Sequence, residues 1–79
     1  MTNLEKYNQV FVETFSVEED VLDDQFAREH VGNWDSVRQL SLVSNLEDTF
    51  DIMFDTEDIL GMVSYKEGKN IMLKYEIEL

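Results

Sequence analysis

The sequence predicts an all-α domain, a bundle of four helices with a long first loop and a short third helix. Apolar residues recur at helical spacing in three stretches, and no stretch alternates apolar and polar at period two. Ser or Thr followed three residues later by Glu or Gln, the pattern of a capping box, occurs at Thr2/Glu5, Ser16/Glu19, Ser36/Gln39 and Ser64/Glu67.

Helix one is expected over about Thr2 to Phe15, with Leu4, Tyr7, Phe11 and Phe15 in one stripe and Val10 beside them. From Ser16 to Asp35 the chain is acidic and weakly periodic, which predicts a long connection. The Ser16/Glu19 pair suggests a helical turn near Glu18 to Leu22, and Val17, Val21, Leu22, Phe26 and Val31 would anchor the segment. Gly32-Asn33 marks a turn. The second helix carries Val37, Leu40, Val43, Leu46 and Phe50 inward and closes at Asp51. Asp55 to Leu60 reads as a short third helix with Asp55 or Thr56 as N-cap and Gly61 as its end. The last helix starts at Ser64 and carries Tyr65, Ile71, Met72 and Tyr75. Gly68 weakens its first turns by roughly 1 kcal/mol relative to Ala.

A chain of 79 residues makes a single domain, residues 1–79. One this short buries only about 60% of the surface its unfolded form exposes, so modest stability is expected. With 43% hydrophobic residues there is material for a core despite a formal net charge of -12. That charge argues against nucleic acid and against an anionic membrane, and favours basic protein partners. No apolar run approaches membrane-spanning length, and Met1-Thr2-Asn3-Leu4-Glu5 does not open a basic-then-apolar leader, so a soluble cytoplasmic monomer is expected.

The sequence announces little catalytic chemistry. There is no cysteine and only one histidine, His30, so neither a thiolate nor a multi-histidine metal site is expected. Glu18-Glu19-Asp20 with Asp23-Asp24 lacks the glycine and terminal glutamate of a calcium loop and reads as a solvated acidic segment. A hydrolase using Ser36 and His30 would need an oxyanion hole and a pocket that no motif supplies. Ser36 itself has two readings. It caps the second helix, with Gln39 completing the box, or it is an exposed modification site, since amide groups at a helix start favour an attached phosphate.

The wider pattern separates these. Trp34-Asp35-Ser36-Val37, then Leu40, Leu42-Val43, Leu46-Glu47-Asp48, Phe50-Asp51, Phe54 and Glu57-Asp58-Ile59, resembles the acyl carrier protein family without a gap from Asp35 to about Ser64. The resemblance implies an acyl-carrier-like four-helix bundle. It makes Ser36, in the family's Asp-Ser-Leu motif, the attachment point of a covalent 4′-phosphopantetheine arm taken from coenzyme A. By the same resemblance Asp35 helps a phosphopantetheinyl transferase read the site, and the arm supplies the thiol that the chain lacks. The carrier itself is not an enzyme. A ligase that loads acyl or aminoacyl cargo, and downstream biosynthetic enzymes, would be its partners.

Departures from the family pattern are either neutral surface drift or the marks of dedicated partners. Val37 stands where leucine is usual and would keep a trimmed partner-facing contact. Arg38 adds a cation in the turn of Ser36, and Ser41, Ser44 and Asn45 make the middle of the helix less acidic and less apolar. Trp34 is expected either as an aromatic lid packed on the loop or as a partner contact; Glu47 and Asp48 complete the expected partner face. Trp34 and the Val31-Gly32-Asn33 lead-in resemble stand-alone carriers of specialised pathways rather than the fatty-acid biosynthesis carrier. The resemblance implies that Val43, Leu46, Phe54, Ile59 and Met62 would part around an acyl chain, unless Phe50 and Phe54 fill that space. A different class of function, an unmodified acidic helical adaptor for a basic protein, remains open.

Overall fold

Helix α1 spans Asn3–Phe15 and begins at the expected capping box: the Thr2 hydroxyl accepts from the Glu5 amide at 3.1 Å, and the Glu5 carboxylate accepts from the Thr2 amide at 3.0 Å. The computed structural model describes residues 1–79. It is all-helical, with α2 at Ser36–Phe50, α3 at Thr56–Gly61 and α4 at Tyr65–Lys74 forming a small bundle with α1. No helix is long and apolar enough to cross a membrane.

Tyr7, Val10, Phe11 and Phe15 face the core as expected, joined by Thr14, whereas Leu4 lies at the exposed edge of the stripe. Ser16 does not open a second capping box. It terminates α1 in the left-handed region at φ 55°, and the short 3-10 turn Glu19–Val21 that follows has no side-chain cap. Along the connection Phe26 is buried and Val17, Leu22 and Val31 are half-buried against the core, while Val21 faces solvent.

The long loop is fastened by its backbone. The Arg28 amide donates to Val63 O and the Tyr65 amide to Phe26 O, each at 2.8 Å, around one antiparallel bridge between Ala27 and Ser64. Six rings from four parts of the chain then pack together: Tyr7, Phe11 and Phe15 on α1, Phe26 on the loop, Trp34 before α2, and Tyr65 on α4.

The inward face of α2 is Gln39, Leu42, Val43 and Leu46, with Phe50 half-buried. Val37 and Leu40, expected inside, are 70% and 64% exposed. The reason is geometric. At about 100° per residue, a spacing of three falls short of a full turn by about 60° at each step. Val37 and Leu46 are three such steps apart and therefore face opposite sides, while the true stripe follows the 39, 42, 43, 46 pattern of a helix face. Asp51 ends α2 as expected, in the left-handed region at φ 54°.

Asp55 is the N-cap residue of α3, without a side-chain hydrogen bond, and Gly61 is its last helical residue rather than a left-handed residue beyond it. Ser64 caps α4, its hydroxyl accepting from the Glu67 amide at 2.9 Å. The first turns of α4 form normally despite Gly68. A Cβ at that position would overlap the Tyr7 hydroxyl and come within 3.0 Å of Met62 Sδ, so the glycine lets α4 sit directly on α1. There the Tyr7 hydroxyl donates to Tyr65 O at 2.6 Å.

Candidate functional site

Ser36 is the first helical residue of α2 and is exposed. It is not the cap. Asp35 takes that position with an extended backbone, and its Oδ1 accepts from the Arg38 amide at 2.9 Å while its carbonyl accepts from the Gln39 amide at 2.9 Å. The capping box expected of Ser36 and Gln39 is therefore absent, and the Ser36 hydroxyl has no cap bond to make. The amides of Ser36 and Val37 belong to the first turn, where no intrahelical carbonyl is available. Its own residues carry no carboxylate, and the only one bonded to it is that of the Asp35 cap. An exposed hydroxyl beside such amides, at the positive end of a helix of 15 residues, is a donor set that suits a phosphodiester.

Two side chains fix the approach to this turn against the end of α1. Asn33 Nδ2 donates to Phe15 O, and an Arg38 guanidinium nitrogen donates to Thr14 O, both at 3.1 Å. Helix α1 has no basic residue in its own last turn, so Arg38 supplies the cation that complements its carbonyl end. Further along α2, Asn45 Nδ2 donates to the Thr14 hydroxyl at 3.1 Å.

Trp34 is only 4% exposed. Its ring lies 4.7 Å from Phe15 and 5.9 Å from Phe26, centroid to centroid, which makes it a packed core aromatic and removes it from any partner-facing surface. The polar tip of the indole needs a partner when buried. Trp34 Nε1 donates to Gln39 Oε1 at 2.6 Å.

Gln39 had no role in the sequence reading beyond the capping box, yet it joins this site to α3. It is 8% exposed, and its Nε2 donates to Ile59 O at 2.9 Å and to Met62 O at 2.6 Å. These bonds bring the end of α3 against the first turns of α2. A signal was present in the sequence, since Gln39 is the one polar residue of the 39, 42, 43, 46 face.

The remaining expected partner positions divide. Ser41 and Asp48 are exposed with Val37 and Arg38, whereas Glu47 is half-buried and its carboxylate accepts from the Phe54 amide at 2.8 Å. Leu60 on α3 adds a further exposed apolar side chain, at 74%. Of the expected acyl-lining residues, Val43, Leu46, Phe54 and Met62 are buried and Ile59 is half-buried. The Phe54 ring packs 5.2 Å from that of Tyr75. Surface cavities of about 480 Å³, between the loop and α4, and about 450 Å³, at the C-terminal end, are lined by none of these five residues.

Beyond the Ser36 turn, α3 carries a buried carboxylate that sequence reasoning left unassigned. Asp58 accepts from Lys74 Nζ at 2.5 Å and from the Tyr75 hydroxyl at 2.6 Å. The hydrogen bond from Lys74, then that from Tyr75, holds the Asp58 carboxyl below the usual carboxylate range and raises both partners. No local spacing announces this clasp, because its members lie 16 and 17 residues apart. His30 Nε2 lies 3.6 Å from the carboxylate of its neighbour Glu29. No three His, Asp or Glu side chains converge as metal ligands. No known family model matches the sequence, and no curated protein matches it.

Proposed function

We propose that this chain is a stand-alone carrier protein of the acyl carrier type, modified with 4′-phosphopantetheine at Ser36. The observation that carries the reading is an exposed serine on the first turn of α2, with Asp35 committed as the cap and the Ser36 and Val37 amides left without an intrahelical partner. In the transfer, Ser36 Oγ bonds to the β-phosphorus of coenzyme A, the phosphoanhydride P–O bond breaks and 3′,5′-ADP leaves. The hydroxyl proton passes to a base of the transferase. The arm supplies a thiol on which acyl or aminoacyl cargo rides as a thioester. What this chain contributes is position: Asp35 and Arg38 fix the backbone around Ser36, and Trp34 with Gln39 ties that turn to the core and to α3.

Val37, Leu40, Ser41, Asp48 and Leu60, exposed around Ser36 and along the neighbouring helices, would be read by the transferase, the loading ligase and later enzymes. The same exposed apolar face within an acidic surface also suits an unmodified adaptor for a basic protein. Incubation with a broad-specificity phosphopantetheinyl transferase, magnesium and coenzyme A, followed by intact mass measurement, separates the two. The carrier reading expects one phosphopantetheinyl group on the wild type and none on Ser36→Ala. No gain on the wild type, or an equal gain on the variant, overturns it.

A further inference from the structure

We infer that Gln39 is a specificity-determining residue that keeps short cargo out of the protein interior, so that this carrier presents short acyl or polar aminoacyl groups in the open. The inference rests on the carrier reading of Ser36 and concerns what its arm holds. Gln39 lies three residues after Ser36 on α2, on the buried face, and its bonds to Ile59 O and Met62 O close the contact between the start of α2 and the end of α3. Its amide is fully used: Oε1 accepts from Trp34 Nε1, and Nε2 donates to Ile59 O and Met62 O. The orientation has no alternative, since turning the amide over would set its oxygen against two carbonyls and its NH2 against an N–H donor.

An alkyl chain entering between the helices would have to break the two bonds to α3 in surroundings formed by Trp34, Leu42 and Met62, each 4% exposed or less. Leaving such a buried group unpaired is worth about a five- to hundredfold factor in an equilibrium constant, and two are lost. Burying one methylene returns only about a fourfold factor. Roughly three to seven buried methylenes merely offset the loss, before the filled positions Leu46, Phe54 and Met62 have to move. Acetyl and butyryl groups therefore gain nothing by entering, and hexanoyl reaches only the break-even range, which the displaced Leu46, Phe54 and Met62 push higher. Cargo that carries an amine or a hydroxyl gains still less, because its polar group would have to be buried as well.

The test loads the whole chain at Ser36 with acetyl-, butyryl- or hexanoyl-coenzyme A through a phosphopantetheinyl transferase. Thioester cleavage by hydroxylamine is followed by intact mass, and the side-chain NH2 resonances of Gln39 by NMR. On the wild type, cleavage rates within about twofold of one another across the series, with Gln39 NH2 signals that do not move, support the inference. On Gln39→Ala, which removes the bonds and opens space beside them, hexanoyl should be cleaved about tenfold more slowly than acetyl. A wild-type rate that falls steadily from acetyl to hexanoyl while the Gln39 signals shift overturns the inference and leaves the carrier reading intact. So does an unchanged rate series on a folded Gln39→Ala. Should that variant not fold, the wild-type series alone decides. Absence of any acyl-phosphopantetheinyl mass gain removes the carrier reading and this inference together.

Discussion

Six rings contributed by α1, the long loop, Trp34 and α4 pack with centroids 4.7–6.2 Å apart. The six-residue α3 is instead fastened by polar bonds: Gln39 donates to Ile59 O and to Met62 O just past its end, and Asp58 accepts from Lys74 and Tyr75. Burial of rings is non-directional and depends little on protonation unless the ring itself ionises. The bonds to α3 are directional, and those at Asp58 titrate. Two helices can therefore flank the same Ser36 turn and differ in what would release them.

The largest expected effect comes from breaking the aromatic side. Phe11 is fully buried and meets Tyr7, Phe15, Phe26, Trp34 and Tyr65. Phe11→Ala should cost about 3–5 kcal/mol. Against a total of roughly 4–12 kcal/mol for a domain of this length, that brings the chain close to unfolding at ambient temperature. Urea denaturation followed by tryptophan fluorescence checks this, and a loss below about 1 kcal/mol would mean that the cluster repacks around the gap.

A pH titration should part the two sides. The folded Asp58 carboxyl is held below its unfolded value, so its contribution is complete above the ordinary carboxylate range near 4 and is lost as pH falls through the lowered folded value. Protection of the α3 amides, taken relative to the intrinsic exchange rate at each pH, should then fall in acid before that of α1 does, and Asp58→Asn should remove most of the difference. Alkali should not discriminate. Burial pushes the Tyr7 hydroxyl far up, and Tyr65 and Tyr75 are raised as well. Each then binds a proton in the folded state that the unfolded state gives up, so both sides should lose stability as pH rises above about 10. Uniform loosening in acid would show that α3 is not separately held.

The smallest effect sharpens the comparison. Ser16 ends α1 beside the aromatic side, and Asp51 ends α2 beside α3, both in the left-handed region. Glycine accepts that conformation without a Cβ clash, although it costs more entropy on folding. Ser16→Gly and Asp51→Gly should each add about 0.5–1 kcal/mol, and the gains should add in the double variant if the two sides are independent. Differential scanning calorimetry of the three variants measures this.

What the sequence made legible was mostly local. The cap at Thr2/Glu5, the stop at Asp51, the start at Ser64 and the short α3 depend on residues within one turn of one another, and all are present in the structure. The placement of Val37 and Leu40 failed because apolar residues spaced by three imitate a stripe over one turn and drift around the helix over three. Asp35 rather than Ser36 became the cap because two adjacent residues were both good caps and only the path of the incoming loop chooses between them. The Gln39 bridge, the Asp58 clasp and the Ala27–Ser64 bridge join residues 16 or more positions apart, and spacing within a helix says nothing about them.

The seat of Gly68 on Tyr7 bears on the order in which the molecule is built. The carbonyl that the Tyr7 hydroxyl reaches belongs to Tyr65, 58 residues later. Until α4 docks, Tyr7 and Phe11 lack the ring of Tyr65, and Ala27 has no backbone partner at Ser64. An all-helical chain of this size would ordinarily fold quickly from local contacts. Here α4 completes the ring cluster of α1, so part of that aromatic surface stays open until a contact of long sequence separation forms.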